Sequence, residues 1–207
     1  MAKDPWYLER IEPMHVSRNH GQLREHVARY RFAAERLGGR ILDAGCGTGY
    51  GPQLLCENKE ITEVIGVDRD ERCLKHARRY YQTPSISFYQ RDLIVDSLQS
   101  LGLFDAITAF EILEHVAEPE KLLRRLNRSM GPGGKLLVST PLGAGRDKAT
   151  NQPFHYFQLR REELQAMLRP LFEYRLFGQK GTTIEPWRRG ERYFLLLALC
   201  RSRFDDV

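Results

Sequence analysis

Two carboxylates and two imidazoles in this chain have the types and spacing for proton transfer or for binding a divalent cation. Glu111, Glu114 and His115 lie close together, and His155 follows later in the chain. Histidine and glutamate serve as general bases, and the same donors suit Mg²⁺, Mn²⁺ or Fe²⁺. If residues 111–115 are helical, the three side chains share one face. We therefore expect the reactive part of the protein to lie here.

A glycine-rich loop is the second group of residues with a readable role. The stretch Ile41–Gly51 reads as a short apolar strand ending near Asp43, followed by glycines at alternate positions. Since glycine has no side chain, the backbone can turn sharply here and a ligand can lie directly against it. A predicted helix over 52–59 follows, so the ligand meets the N-terminal end of a helix dipole at the carboxyl end of a strand. The loop therefore predicts a cofactor site.

The spacing of the glycines and of two further acids narrows the kind of cofactor. From Gly45 the pattern is G-x-G-x-G, and Tyr50 stands where a dinucleotide-binding loop would carry its third glycine. No Gly-Lys-Ser/Thr follows, which excludes a P-loop. Asp68, after the second predicted strand, is placed to bind both hydroxyls of a ribose, and Asp92 ends the third strand. These features favour a ligand with one ribose, one adenine and an ammonium group, without a phosphate.

The same residues, with others in the same order along the chain, resemble the class I S-adenosylmethionine-dependent methyltransferases. The matching segments are Asp43–Gly49, Asp68, Arg91–Leu93, Phe104–Asp105, Phe110–Val116 and Gly131–Gly134. Within the family, the chain is most similar to small methyltransferases of saccharide and secondary-metabolite pathways. Those proteins carry a helix like Glu25–Ala33 before the loop and a segment like Pro153–His155 after the fifth strand.

The resemblance implies a set of cofactor contacts. The methionine part meets the glycine loop and the N-terminal helix that closes over it, at Asp43, Gly45, Cys46, Gly47, Tyr30 and His26. The ribose and adenine are held after the second and third strands, at Asp68, Arg69, Asp92 and Leu93. Phe110 lies near the sulfonium. The implied cofactor is S-adenosyl-L-methionine, and a divalent cation is a second candidate.

The acceptor chemistry follows from the sulfonium, which is already a good leaving group. The enzyme mainly holds the acceptor in line and excludes water, and an alcohol acceptor also needs a base or a cation. We expect His115, Glu111 and His155 to be catalytic. The candidate metal ligands are Glu111, Glu114, His115 and His155. A metal-free base at His115 or His155, and a purely structural role for the cluster, stay open as alternatives.

The predicted function is methyl transfer to a small acceptor, with an oxygen on a sugar or hydroxylated metabolite as the leading target. One alternative is RNA, because E-x-x-E-H with a later histidine is also similar to the metal site of RNA-ribose 2′-O-methyltransferases of the small-RNA 3′-end type. A nucleic acid is the less favoured partner. The other alternative is a S-adenosylmethionine-binding module without turnover.

The elements that must position these residues alternate between strand and helix. Apolar stretches predict strands over 40–44, 63–68, 85–90, 104–110, 135–139, 172–177 and 193–200. Helical signals predict helices over 23–37, 52–59, 71–81, 118–130 and 160–168. The alternation predicts an α/β fold, a Rossmann-like doubly wound sheet of seven strands that is mostly parallel with an antiparallel last strand. Residues 140–158 are predicted to be a functional loop and 178–191 a polar connector.

Length and composition complete these expectations. The 207 residues predict a single methyltransferase domain, with an N-terminal arm and helix at 1–37, a Rossmann-like core at 38–200 and a tail at 201–207. No apolar run reaches the ~18 residues that span a bilayer, and residues 1–5 lack the pattern of a signal peptide. The four cysteines have no metal-binding spacing, so we expect reduced thiols and a cytoplasmic location. A net charge of +5 permits an anionic partner without requiring one.

Overall fold

The computed structural model describes residues 20–203, which form one mixed sheet covered by helices on both faces. The helices are α1 (Gly21–Ala34), α2 (Tyr50–Leu55), α3 (Glu71–Tyr81), α4 (Pro119–Arg128) and α5 (Arg161–Leu168). The strands are β1 (Gly39–Ala44), β2 (Ile61–Asp68), β3 (Ile86–Gln90), β4 (Phe104–Phe110), β5 (Met130–Pro141), β6 (Phe172–Lys180), β7 (Thr183–Pro186) and β8 (Leu195–Ser202). Most of the predicted N-terminal arm and the end of the predicted tail lie outside the described residues.

The strands follow the order β3-β2-β1-β4-β5-β8-β6-β7. Neighbouring strands from β3 to β5 are parallel, and β8 lies antiparallel between β5 and β6. The predicted doubly wound α/β fold, mostly parallel with an antiparallel last strand, is confirmed. The strand order reverses direction between β1 and β4, which is where open α/β sheets bind their ligands.

The sheet has one strand more than the seven predicted. β6 continues to Lys180 rather than stopping at residue 177, and Gly181, with φ +56°, turns the chain back into β7. Lys180 pairs with Thr183, so the two strands form a hairpin with a two-residue loop. The connector predicted over 178–191 is therefore partly strand. The prediction missed the hairpin because a strand at the edge of a sheet can carry polar side chains and lack an apolar pattern.

Adjacent residues of the central strands pack into different apolar layers. In β1, Ile41 packs with residues of α1, whereas its neighbour Leu42 packs with residues of α4 and α5. In β4, Ala106 and Ile107 divide in the same way. Successive side chains of a strand point to opposite faces, so a short apolar run is buried on both sides. Because the central strands are buried on both faces, their positions are fixed, and so are the positions of the residues at their carboxyl ends.

The segment after β4 is not an α-helix. Within residues 111–117, helical structure is limited to Leu113–His115, a single 3₁₀ turn, and Glu111 precedes it with φ +51°. The condition under which the two glutamates and the histidine would share one helical face is therefore not met. A residue with positive φ reverses the local backbone, so the side chain of Glu111 leaves in a different direction from that of Glu114.

Across residues 20–203, the structure contains no helix of the length and apolar character that a membrane span requires. This agrees with the absence of a predicted span. The cytoplasmic location and the single-domain organisation stay predictions.

α1 approaches α2 closely at a single glycine. A Cβ placed on Gly51 would lie 2.1 Å from the ring carbon Cζ of Tyr30. Tyr30 is buried, and its ring also makes edge contacts with Phe110 and Tyr50 at centroid distances of 5.0 and 6.0 Å. Because only a residue without a side chain allows this approach, Gly51 sets the distance between α1 and the glycine loop.

Gly51→Ala is expected to lower the free energy of unfolding by roughly 1–3 kcal/mol, because the added methyl group overlaps the buried ring of Tyr30. The better helix propensity of alanine, about 1 kcal/mol, acts in the opposite direction and is smaller. Urea denaturation followed by circular dichroism measures the change. Gly21→Ala is the matched control, since a Cβ at Gly21 would have no neighbour within 4 Å. A Gly51→Ala protein as stable as the wild type would contradict this packing.

Candidate active site

The carboxyl ends of β1, β2 and β4 open into a cavity of about 830 Å³. The residues predicted to bind the cofactor line it, apart from Asp43: they are Tyr30, Gly45, Cys46, Gly47, Asp68, Arg69, Asp92, Leu93 and Phe110. The residues predicted to act on the acceptor also line it, and they are Glu111, Glu114, His115 and His155. The fold therefore brings both predicted groups into one cavity.

The glycine loop presents bare backbone to this cavity. Gly45, Gly47 and Gly49 have φ values of 80°, 54° and 92°, a region that side chains rarely allow. The amides of Gly45 and Cys46 both donate to the carbonyl oxygen of Val67, at 2.8 and 3.0 Å, which anchors the loop to β2. A Cβ on Gly47 would meet nothing within 4 Å, so this part of the loop faces open space.

The carboxylate of Asp68 is oriented by two backbone amides. The amide of Gly47 donates to Oδ2 at 2.9 Å, and the amide of Asp70 donates to Oδ1 at 2.9 Å. The carboxyl group thereby ties the end of β2 to the glycine loop. An oriented carboxylate beside a cavity can accept hydrogen bonds from the two hydroxyls of a ribose.

Asp43 lies behind the cavity wall rather than on it. Its carboxyl group is buried and accepts hydrogen bonds from Thr108 Oγ1 at 2.6 Å and from the hydroxyl of Tyr30 at 3.1 Å. Burial raises the pKa of Asp43 to about 7, although both hydrogen bonds act against the rise. Asp43 thus reaches the cavity through Tyr30, which does line it.

The predicted adenine side of the cavity is built around the turn after β3. Asp92 accepts a hydrogen bond from the amide of Ile94 at 2.8 Å, and its own amide donates to Asp96 Oδ2 at 2.8 Å. Asp92 therefore caps this turn as well as lining the cavity, and the neighbouring Leu93 is buried. Phe110 closes the end of β4 against Tyr30.

Glu111 points its carboxylate toward α1. Oε2 accepts a hydrogen bond from Arg29 Nη2 at 2.7 Å and also contacts His26 Nε2. Burial would raise the pKa of Glu111, but the nearby His26 and Arg29 outweigh it and lower the pKa to about 2. Among residues 20–203, Glu111 is the only non-glycine residue with positive φ, an arrangement that costs about 1–3 kcal/mol. A carboxylate with so low a pKa is a weak base.

Glu114, His115 and His155 form the remaining part of the predicted acceptor side. One ligand atom from each lies within 4.8 Å of the others, and Glu111 does not belong to this group. Glu114 is buried, accepts from Thr140 Oγ1 at 3.1 Å, and has its pKa raised to about 8 by burial and by the charge of Glu111. Burial also lowers the pKa of both histidines.

The two imidazoles are held in different ways. Their rings meet edge to face with centroids 4.7 Å apart. His115 Nδ1 lies 3.1 Å from the carbonyl oxygen of Phe154. Since a carbonyl oxygen only accepts, Nδ1 carries the proton and Nε2 carries the lone pair. Nδ1 of His155 is buried and has no hydrogen-bond partner among residues 20–203.

Four residues in or beside the site were not predicted from the sequence as parts of it: Arg29, Gln179, Thr108 and Thr140. Arg29 is almost fully buried on α1 and binds Glu111 and Gln179. Its position four residues before the buried Ala33 places a cation on the apolar face of α1, and such a charge requires a partner. That signal was present in the sequence. The partner was not readable, because Gln179 is far away along the chain.

The ion pairs of Glu111 predict a pH-dependent contribution to stability. The pKa of Glu111 is lowered from 4.5 to about 2, so the unfolded chain binds more protons and the contribution is present above pH ~4.5 and lost as the pH falls toward 2. We expect Glu111→Gln to cost about 2 kcal/mol at pH 7, with the difference from wild type shrinking as the pH is lowered.

Urea denaturation of both proteins between pH 7 and pH 3 tests this dependence. Glu35→Gln is the control, because its ion pair with Arg36 is at the surface and contributes at most about 1 kcal/mol. A difference between wild type and Glu111→Gln that is constant over this pH range would contradict the assigned pKa.

Comparison with known proteins agrees with the cavity and the fold. The family described as a methyltransferase domain matches residues 15–178, most of the chain. A protein named "Probable S-adenosylmethionine-dependent methyltransferase" from Mycolicibacterium smegmatis is 35% identical over 150 residues, which cover 70% of this chain and 56% of that protein. The chain thus spans little more than half the length of that relative. A ubiquinone biosynthesis O-methyltransferase from Xanthomonas oryzae is 32% identical over 185 residues, covering 79% of this chain and 75% of that protein.

A solved structure is similar to this chain over nearly its whole length. The N-methyltransferase NodS from Bradyrhizobium japonicum, in complex with S-adenosyl-L-homocysteine, has a TM-score of 0.67 over 96% of this chain and 95% of that chain, at 19% identity. At that identity the similarity concerns the fold alone. Taken with the family match and the sequence relatives, the glycine loop and the strand-end acids place this chain in the class I S-adenosylmethionine-dependent methyltransferase family.

Proposed function

We propose that the protein transfers the methyl group of S-adenosyl-L-methionine to a hydroxyl oxygen of a small acceptor, such as a sugar or another hydroxylated metabolite. The observation that carries the proposal is the shared cavity. Its cofactor side contains the glycine loop and Asp68, and its other side contains Glu114, His115 and His155. The O-methyltransferase relative from Xanthomonas oryzae supports oxygen as the target.

In this proposal the cofactor lies across the carboxyl ends of β1, β2 and β3. Asp68 accepts hydrogen bonds from the ribose hydroxyls, and Asp92 accepts from the adenine amino group, with Leu93 and Arg69 beside the ring. The methionine part lies along Gly45–Gly47 beneath Tyr30, whose hydroxyl is held by Asp43. The NodS structure contains S-adenosyl-L-homocysteine in the same fold, which supports this class of cofactor.

The reaction needs a base on the acceptor side. As the methyl group passes from sulfur to the acceptor oxygen, the hydroxyl proton must leave, and His115 Nε2 carries a lone pair that can take it. The products are the methyl ether, the neutral thioether and an imidazolium at His115. His155 lies against the His115 ring and helps to orient the acceptor. Glu114, with a pKa of about 8, is protonated at neutral pH and so adds no charge to the acceptor side.

A divalent cation also fits the acceptor side. Glu114, His115 and His155 would hold it, since two imidazoles and a carboxylate suit such ions and His155 Nδ1 has no protein partner. A bound cation would lower the pKa of the acceptor hydroxyl. Glu111 lies outside this group, so the ligand set differs from the four residues expected from the sequence.

Asp68→Asn is expected to weaken binding of S-adenosyl-L-methionine by roughly 30-fold or more, because an amide replaces a charged acceptor of hydroxyl hydrogen bonds. Isothermal titration calorimetry measures this loss. Asp105→Asn is the matched control, since Asp105 is exposed at the opposite end of the strands, where it accepts from the amide of Arg40. Binding of NAD by the wild type, with no binding of S-adenosyl-L-methionine, would overturn the proposed cofactor.

His115→Asn is expected to lower kcat by about 100-fold or more while leaving the cofactor Kd unchanged. The asparagine amide can still donate to the carbonyl of Phe154, so the variant removes mainly the Nε2 lone pair. Initial rates are measured with the best acceptor from a screen of sugars, phenols and RNA oligonucleotides. His76→Asn on α3, which does not line the cavity, should retain activity.

A chelator separates the two ways of activating the acceptor. Full activity after chelation, with loss of activity in His115→Asn, supports the metal-free base. Loss of activity on chelation, restored by Mg²⁺ or Mn²⁺, supports the cation at Glu114, His115 and His155. An unchanged kcat in His115→Asn would contradict both roles of His115, and RNA as the best acceptor would contradict the small-molecule proposal.

A further inference from the structure

Arg29 connects α1 to two separate parts of the sheet. It is only 1% exposed. Nη1 donates to Gln179 Oε1 at 2.8 Å, and Nη2 donates to Glu111 Oε2 at 2.7 Å. One partner is on β6 and the other follows β4, so the Arg29 guanidinium links α1 to both parts of the sheet. A buried guanidinium without an anionic partner would be strongly unfavourable, which makes α1 in this position dependent on Glu111.

Glu111 receives a second contact from the same helix. His26, one turn before Arg29 on α1, places Nε2 against the same carboxylate oxygen that Arg29 binds. The backbone of Glu111 is fixed as well, because its amide donates to the carbonyl oxygen of Ser139 at 3.0 Å. Glu111 has a φ of 51°, and its carboxylate contacts Arg29 and His26 of α1. The local strain is therefore associated with aiming this carboxylate at the helix.

Gln179 makes a second set of contacts with α1. Its Nε2 donates to the carbonyl oxygen of Glu25 at 3.0 Å and to that of Gly181 at 2.7 Å. Gln179 thus connects the hairpin of β6 and β7 to the first turns of α1. Gln179 lies on β6 just before the turn into β7, so the part of the sheet that contacts α1 belongs to this hairpin.

α1 forms one wall of the proposed cofactor site. Glu25, His26, Arg29 and Tyr30 all line the cavity, and the Tyr30 hydroxyl reaches Asp43. If α1 moves away, the methionine end of the cavity opens to water. The position of α1 therefore controls how tightly a cofactor is retained.

We propose that Glu111 is a positioning residue that holds α1 over the cofactor through Arg29 and His26, and that it is not the group that takes the acceptor proton. The proposal rests on the proposed function for the identity of the cofactor. Its geometric basis is that Oε2 of Glu111 is already engaged by two donors of α1. A catalytic base must instead present its lone pairs to the substrate.

Three measurements on Glu111→Gln distinguish positioning from catalysis. Hydrogen exchange without cofactor should show amides of α1 exchanging at least about 10-fold faster, with the amides of β4 and β5 unchanged. The Kd for S-adenosyl-L-homocysteine should rise by about 10-fold, mainly through faster dissociation. At saturating cofactor, kcat should stay within about threefold of wild type.

Three further variants are compared with Glu111→Gln. Glu35→Gln removes an acid from the exposed end of the same helix and should change none of the three quantities. His26→Gln keeps a donor toward Glu111 and should show smaller effects in the same direction, which covers the case in which Glu111→Gln folds poorly. Glu111→Asp keeps the charge and should recover part of the cofactor affinity.

Two results would overturn the proposal. One is unchanged exchange in α1 for Glu111→Gln. The other is a turnover rate lowered by about 100-fold with an unchanged Kd, which would make Glu111 a catalytic group. Failure of the wild type to bind S-adenosyl-L-homocysteine would instead overturn the proposed function, and the exchange experiment without cofactor would still decide whether Glu111 holds α1.

Discussion

Parallel hydrogen bonding between β1, β2 and β4 brings the carboxyl ends of three strands to one edge of the sheet. Residues that are distant in the chain lie close to this edge, because Asp43 is the second-last residue of β1, Asp68 ends β2 and Glu111 follows β4. The glycine loop is then tied to β2 through Val67 and Asp68. The other features of the site, including the position of α1, depend on this edge of the sheet.

Two glutamates only three positions apart acquire opposite electrostatic properties at that edge. Glu111 faces a guanidinium and an imidazole, which lower its pKa to about 2. Glu114 is buried beside Thr140, and both its burial and the negative charge of Glu111 raise its pKa to about 8. The positive φ of Glu111 separates the two side chains. One carboxyl group can therefore hold a helix while the other stays neutral beside the proposed acceptor.

Much of the fold followed from local patterns. The alternation of apolar strands with helices and the glycines after β1 are both short-range signals, and the structure contains each of them. The hairpin of β6 and β7 was missed because polar residues at a sheet edge resemble a connector. The sequence left open whether residues 111–115 are helical, because a spacing of three and four residues fits both a helix and a 3₁₀ turn preceded by a residue with positive φ.

The sequence by itself determined the fold class, the cofactor loop and the candidate residues on both sides of the cavity, because these depend on residue types and on their spacing along the chain. Only the tertiary structure decided how the acidic residues divide their roles. Glu111 pairs with Arg29 and His26, whereas Glu114 joins His115 and His155, and these partners come from other elements of the fold. The pKa of a carboxyl group depends on the charges and burial around it, and these exist only once distant segments have packed together.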